Sequence, residues 1–194
     1  LRVVALLALA VGVSACGIPI DTSAHSINAS QVYVPEVQSN VPAGGSSATL
    51  TLYFYKDNRL VPVKRPGSVY PLIETTAGAL LVDLDNGPLV NEGINLVTFL
   101  NSEPGLTCTY NPQNHIITVN LDAQFLNSLF GPSLYEAYGQ IVLTLMSNKQ
   151  LAGVVGIQFQ SGGSPTYAYL PTETATRSPV DWASYSTLLS PHEP

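Results

Sequence analysis

Hydrophobic and polar residues change period several times along this chain, and each change marks an element. From Thr49 to Tyr55 the two classes alternate strictly, with Leu50, Leu52 and Phe54 on one side, as in a strand with one buried face. Lys56-Asp57-Asn58-Arg59 reads as a turn. Leu60-Val61-Pro62-Val63 reads as the returning strand, at a sheet edge because Pro62 has no N–H to give a ladder. The period then lengthens. Pro71 suits a first helical turn, and Ile73, Ala77, Leu80, Leu81 and Leu84 fall on one helical face, closed by Asn86-Gly87-Pro88. Ile94 to Leu100 is an apolar run predicted as strand, and Leu106 to Tyr110 is predicted to pair with His115 to Leu121 across Asn111-Pro112-Gln113-Asn114. Asp122 is placed to cap a short helix holding Phe125, Leu126 and Leu129, stopped by Gly131-Pro132. A second long helix is predicted from Ser133, whose spacing to Glu136 is that of a capping box, with Leu134, Tyr138, Ile141 and Leu145 as its apolar stripe. Val154 to Gln160 and Thr166 to Leu170 are the last predicted strands, joined by Ser161-Gly162-Gly163-Ser164. Strands in runs, broken by two helices, predict an α+β fold: a mixed, mainly antiparallel sheet with two main helices packed on one face.

The two ends follow other patterns. Behind Arg2 an apolar run from Val3 to Val13 leads into small residues, the layout of a secretory leader. It is too short to span a bilayer, which takes about 20 apolar residues. Val13-Ser14-Ala15-Cys16 resembles the lipobox of bacterial lipoproteins, which implies cleavage before Cys16 and a diacylated thiol. The alternative is an ordinary leader with a cysteine near its cut. The chain then divides into a leader (1–15), a lipidated cysteine and flexible tether (16–48), a domain (49–170) and a C-terminal extension (171–194). The tether mixes Pro19, Pro35 and Pro42 with Ser, Asn and Gln, and only Gln31 to Val37 alternates in it. In the extension, Ser178-Pro179-Val180-Asp181 reads as a helix start, with Trp182, Tyr185 and Leu188 or Leu189 sharing a face. Packing back onto the domain is the expectation, and a partner-facing Trp182 the alternative.

Composition narrows the function. Charged residues are 10% of the chain, against about 25% in typical soluble proteins. The formal charge is -6, with seven Lys plus Arg, so the basic footprint that nucleic acid requires is missing. A polybasic contact with anionic lipid is excluded on the same ground, leaving the membrane to be reached through lipid on Cys16, whose buried methylenes contribute about 0.8 kcal/mol each. There is no Gly-x-Ser-x-Gly elbow, phosphate loop or His-Glu-x-x-His. His25, His115 and His192 are scattered, so neither a metal nor a cofactor is expected. Asp83-Leu84-Asp85-Asn86-Gly87 has its glycine one place early for a calcium loop and no closing Glu, so it reads as a helix cap. Asp122 and Glu136 could be paired as glycosidase carboxylates, yet each has a simpler role at a helix start. Cys108, left without a partner if Cys16 carries lipid, is expected as a small buried side chain; His115 is the local base that would make it a nucleophile. Arg65 follows an apolar strand and precedes Pro66-Gly67, which suits a salt bridge or carbonyl contact inside the fold, with ligand binding as the alternative. Arg65 and Trp182 are thus the two binding candidates, and no catalytic residue is expected.

In this order the elements from Thr49 to Leu170 resemble the GerMN domain of spore-germination, sporulation and envelope lipoproteins. The resemblance rests on Leu52-Tyr53-Phe54, Leu60-Val61-Pro62-Val63-Lys64-Arg65, Leu84-Asp85-Asn86-Gly87-Pro88 and Ile116-Ile117-Thr118-Val119-Asn120-Leu121. Gln140-Ile141-Val142-Leu143-Thr144-Leu145 and Gly153-Val154-Val155-Gly156-Ile157 with Gly162-Gly163 complete it. Asn95 to Leu100 departs from the family's pattern. The resemblance implies a non-enzymatic interaction domain, and some members are similar to the ring-building motif of sporulation complexes, which implies self-association. The expected function is therefore a lipoprotein on the extracytoplasmic face of the plasma membrane that binds an envelope protein or itself. The alternatives are a module for cell-wall glycan or lipid, suggested by ten tyrosines and a neutral polar surface, and, third, a thiol hydrolase using Cys108.

Overall fold

The computed structural model describes residues 45–100 and 106–190. The leader, the lipobox residues Val13, Ser14, Ala15 and Cys16, nearly all of the tether (including Gln31 to Val37), and His25 and His192 lie outside them. The fold is α+β.

Two strands open it, β1 (Ser46–Lys56) and β2 (Arg59–Val69), paired antiparallel along their whole length. Order begins at Ser46, three residues before Thr49. The return strand runs six residues past Val63, because β2 carries its second proline, Pro66, as harmlessly as Pro62. Asp57 and Asn58 both adopt positive φ (49° and 62°), a two-residue turn whose twist matches the strands. In this register Pro62 faces Tyr53 and Pro66 faces Thr49. These are non-hydrogen-bonded pairs, as the Tyr53 N–H shows by donating elsewhere, so the missing proline N–H groups fall on the outer edge of β2. Leu50, Leu52 and Phe54 are fully buried as their alternation requires.

The first helix, α1 (Ile73–Asp85), buries Ala77, Leu80, Leu81 and Leu84, and Gly87 (φ 80°) turns the chain out of it. Ile94 to Leu100 is not a strand. A single bridge, Val97 to Tyr55, is all that pairs there, and Ile94 points into solvent. An apolar run signals a strand only where neighbouring strands can cover it, and here β1 has just one free position left.

A second sheet follows in the order β3 (Thr107–Asn111), β4 (Ile116–Leu121), β5 (Gly156–Ser161), β6 (Ser164–Pro165). The hairpin β3–β4 forms as expected, though its turn is shifted by one residue, with Asn111 ending β3 and His115 in the turn. Strands β4 and β5 are parallel, with the crossover made by α2 (Ala123–Ser128) and α3 (Pro132–Ser147). Asp122 caps α2, its Oδ1 accepting from the N–H groups of Gln124 and Phe125 at 2.7 and 3.1 Å. The capping box of Ser133 and Glu136 does not form. Helix α3 starts one residue earlier, with Pro132 in the first turn and Gly131 as its cap, and the Ser133 hydroxyl bonds the backbone of Phe130 instead. Past Ser161 the partner of β5 is the two-residue β6, whereas β7 (Ala168–Tyr169) pairs with β8 (Ala175–Thr176).

Every residue of α3 from Glu136 to Leu145 is buried, so this helix is the centre of the domain as well as a layer on it. The segment after Pro171 belongs to the same compact unit. Val180 exchanges both backbone hydrogen bonds with Ile157, and the short helix α4 (Trp182–Tyr185) buries Tyr185 completely, its hydroxyl donating to the Tyr169 carbonyl at 2.8 Å.

Candidate functional site

Arg65 lies on the core face of β2, opposite Leu50, and its guanidinium is buried beneath the hairpin. Its Nε and Nη2 donate to the two carboxylate oxygens of Glu92 at 2.6 Å each, and Nη2 also reaches the Gly87 carbonyl at 3.1 Å. Glu92 Oε2 accepts in turn from the Leu89 N–H at 2.7 Å. The hydrogen bonds from Arg65 hold the Glu92 carboxyl below its usual range despite burial, whereas burial raises Asp83 nearby. Arg65 thus ties the loop after α1 to the sheet and is not presented to a ligand. The loop so fixed projects aliphatic side chains: Leu89, Val90 and Ile94 are 50%, 103% and 77% exposed.

Trp182 is half-buried, packed edge-on to Tyr53 with ring centroids 5.7 Å apart. It opens α4 directly after Asp181, which exchanges a capping box with Ser184. Together with Thr51, Tyr53, Pro62, Lys64, Met146 and Ser147 it lines a shallow groove of about 420 Å³.

The remaining candidates separate. Cys108 is partly buried and its thiol donates to the Glu74 carbonyl; burial pushes it up to about 11, far from the thiolate a nucleophile needs. His115, at φ 58° in the β3–β4 turn, places Nδ1 2.8 Å from the Tyr110 hydroxyl. Both imply structural roles. Asp122 is a cap and Glu136 is buried against Tyr55, so each carboxylate serves the fold. Asp83 to Gly87 forms the helix end, and among the described residues no group of three metal-ligating side chains comes together. Nor, among them, is any helix long and apolar enough to cross a membrane.

Sequence reasoning missed one constellation. Glu136, Gln140, Thr144 and Asn148 follow one another at four-residue intervals along α3 and its C-cap, and the last three read the free edge of β1. Asn148 Oδ1 accepts from the Thr51 N–H (3.0 Å) and its Nδ2 donates to the Thr51 carbonyl (2.9 Å). Thr144 Oγ1 accepts from the Tyr53 N–H (3.0 Å), and Gln140 Nε2 donates to the Tyr53 and Val97 carbonyls (3.1 Å each) while its Oε1 accepts from Phe99 N–H (2.8 Å). Glu136 lies against Tyr55, whose hydroxyl donates to Asn58 Oδ1 (3.0 Å), and burial raises the Glu136 carboxyl above the usual range. The signal was present as a polar stripe on an apolar helix.

No protein-family model matches the chain, and no curated protein sequence does. Its fold is similar to a crystal structure described as a lipoprotein from Clostridium perfringens, with 14% identity, 76% of this chain and 94% of that one covered, and a TM-score of 0.47. It is also similar to the tandem GerMN domains of the sporulation protein GerM from Bacillus subtilis, with 17% identity, 70% of this chain and 46% of that one covered, and a TM-score of 0.47.

Proposed function

We propose that this chain is a lipid-anchored module of the cell envelope, held outside the plasma membrane by Cys16, that works by binding a protein partner through the loop bearing Leu89, Val90 and Ile94. The observation that carries this reading is the pairing of opposites in that loop. Its backbone is fixed by a buried bidentate ion pair, while its aliphatic side chains face water. Ordering a loop in advance lowers the entropic cost of association, and clustered exposed aliphatics are a mark of protein contact. The thiol-hydrolase alternative is disfavoured by the protonated Cys108.

A photo-crosslinking amino acid placed at Val90 in living cells should capture a discrete protein, or a second copy, that the same group at exposed Val155 does not. Identical patterns from both positions, or none, would overturn the binding surface. Metabolic labelling with an alkyne fatty acid tests the anchor separately: Cys16→Ser should lose the label and leave the membrane fraction.

A further inference from the structure

We infer that the groove between β2, the last turn of α3 and α4 is a binding site for a carboxylate-bearing sugar. None of Leu89, Val90 or Ile94 lines it, so it is tested apart from the protein-binding reading.

Three observations converge on it. The first is charge. Lys64 is an exposed cation in an acidic chain, and no Asp or Glu lines the groove beside it. An ammonium with no carboxylate beside it in the groove is open to a ligand's carboxylate, as a charge-assisted contact. The second is shape. Trp182 is set at the start of α4, whose cap and whose buried Tyr185 fix the indole before any ligand arrives. Tyr53, Pro62 and Met146 line the groove with it, so aromatic and apolar side chains are held ready together. The third is polarity. Thr51 and Ser147 place hydroxyls in the same lining, the Ser147 hydroxyl donating to the Leu143 carbonyl and keeping lone pairs to accept with.

A sugar ring fits all three at once: an apolar C–H face for the indole, hydroxyls for Thr51 and Ser147, and an acidic substituent for Lys64. The volume of about 420 Å³ lies in the range of small-ligand sites. An acidic peptide would satisfy Lys64 but brings no rigid ring face for the indole, which is why the sugar is favoured.

Trp182 is the only tryptophan in the chain, so its emission reports on this groove alone. The full chain should show a saturable change in tryptophan emission with N-acetylmuramic acid and a weaker one with neutral N-acetylglucosamine. Lys64→Gln should weaken the acidic sugar about tenfold, the size of one charge-assisted hydrogen bond, and leave the neutral one unchanged. Lys56→Gln, the same change of net charge at the hairpin turn, should alter neither; matching thermal unfolding of the three proteins secures the comparison. No saturation with either sugar overturns the proposal, as does equal response to both or equal loss in the two lysine variants. Tighter binding of a tetraglutamate peptide than of the sugar would overturn it in favour of a peptide site.

Discussion

Two regions of this domain hold irregular or unpaired backbone in place, and they do it with opposite chemistry. Along the free edge of β1, three neutral side chains spread over two turns of α3 supply the donors and acceptors that a neighbouring strand would have given. In the loop after α1, one guanidinium and one carboxylate do the work. The neutral network divides the task, so each member is replaceable at modest cost. The ion pair concentrates it, because removing either partner leaves the other's charge beneath the hairpin without its counter-ion.

The largest effect should therefore come from Arg65→Met, which strands Glu92 and should lower unfolding free energy by about 3–5 kcal/mol in chemical denaturation. Adding Glu92→Met should restore a large part of that loss; a double variant no better than the single one would show that the pair's backbone contacts, not its charges, matter. Gln140→Leu should cost less, about 1–3 kcal/mol, since it removes the hydrogen bonds to the Tyr53 carbonyl and from the Phe99 N–H but strands no charge. A loss equal to that of Arg65→Met would erase the contrast.

Acid separates the regions further, with opposite signs. Glu92 has a lowered folded-state affinity for protons, so its contribution is present above the ordinary carboxylate range and lost as pH falls towards its depressed value. Glu136 is raised by burial, so the native state holds its proton more tightly than the unfolded chain. Its contribution is full below the unfolded value and declines as pH rises through the raised one. Glu136→Gln should accordingly increase thermal stability at neutral pH, by less than either loss above, and the gain should vanish in acid. Smallest of all, Val90→Ser should change stability by no more than about 0.5 kcal/mol while removing the contact proposed for the loop.

The same contrast explains what could be read in advance. Strict alternation in β1 and the leucine face of α1 reflect burial, and burial is what periodicity encodes. Asp122 was legible for a similar reason, since a cap acts on its own next few residues. Glu136 was misread because its spacing to Ser133 mimics a local motif, whereas its partner, Tyr55, lies 81 positions earlier. Gln140, Thr144 and Asn148 answer backbone groups nearly a hundred residues away, and no local pattern states which edge will need them. Arg65 fell between: its neighbours suggested an internal role, but Glu92 could not be picked from the sequence. The resemblance to GerMN domains rests on the order of elements, and Asn95 to Leu100, where that pattern departs, lies in the stretch where the expected strand did not form.

One consequence follows from how the β1–β2 hairpin is flanked. Pro62 and Pro66 blunt one side, and α3 occupies the other from Thr51 to Tyr53. A further strand therefore cannot extend this ribbon on either side by main-chain hydrogen bonding. Anything that meets it there meets side chains, which sequence can tune one position at a time.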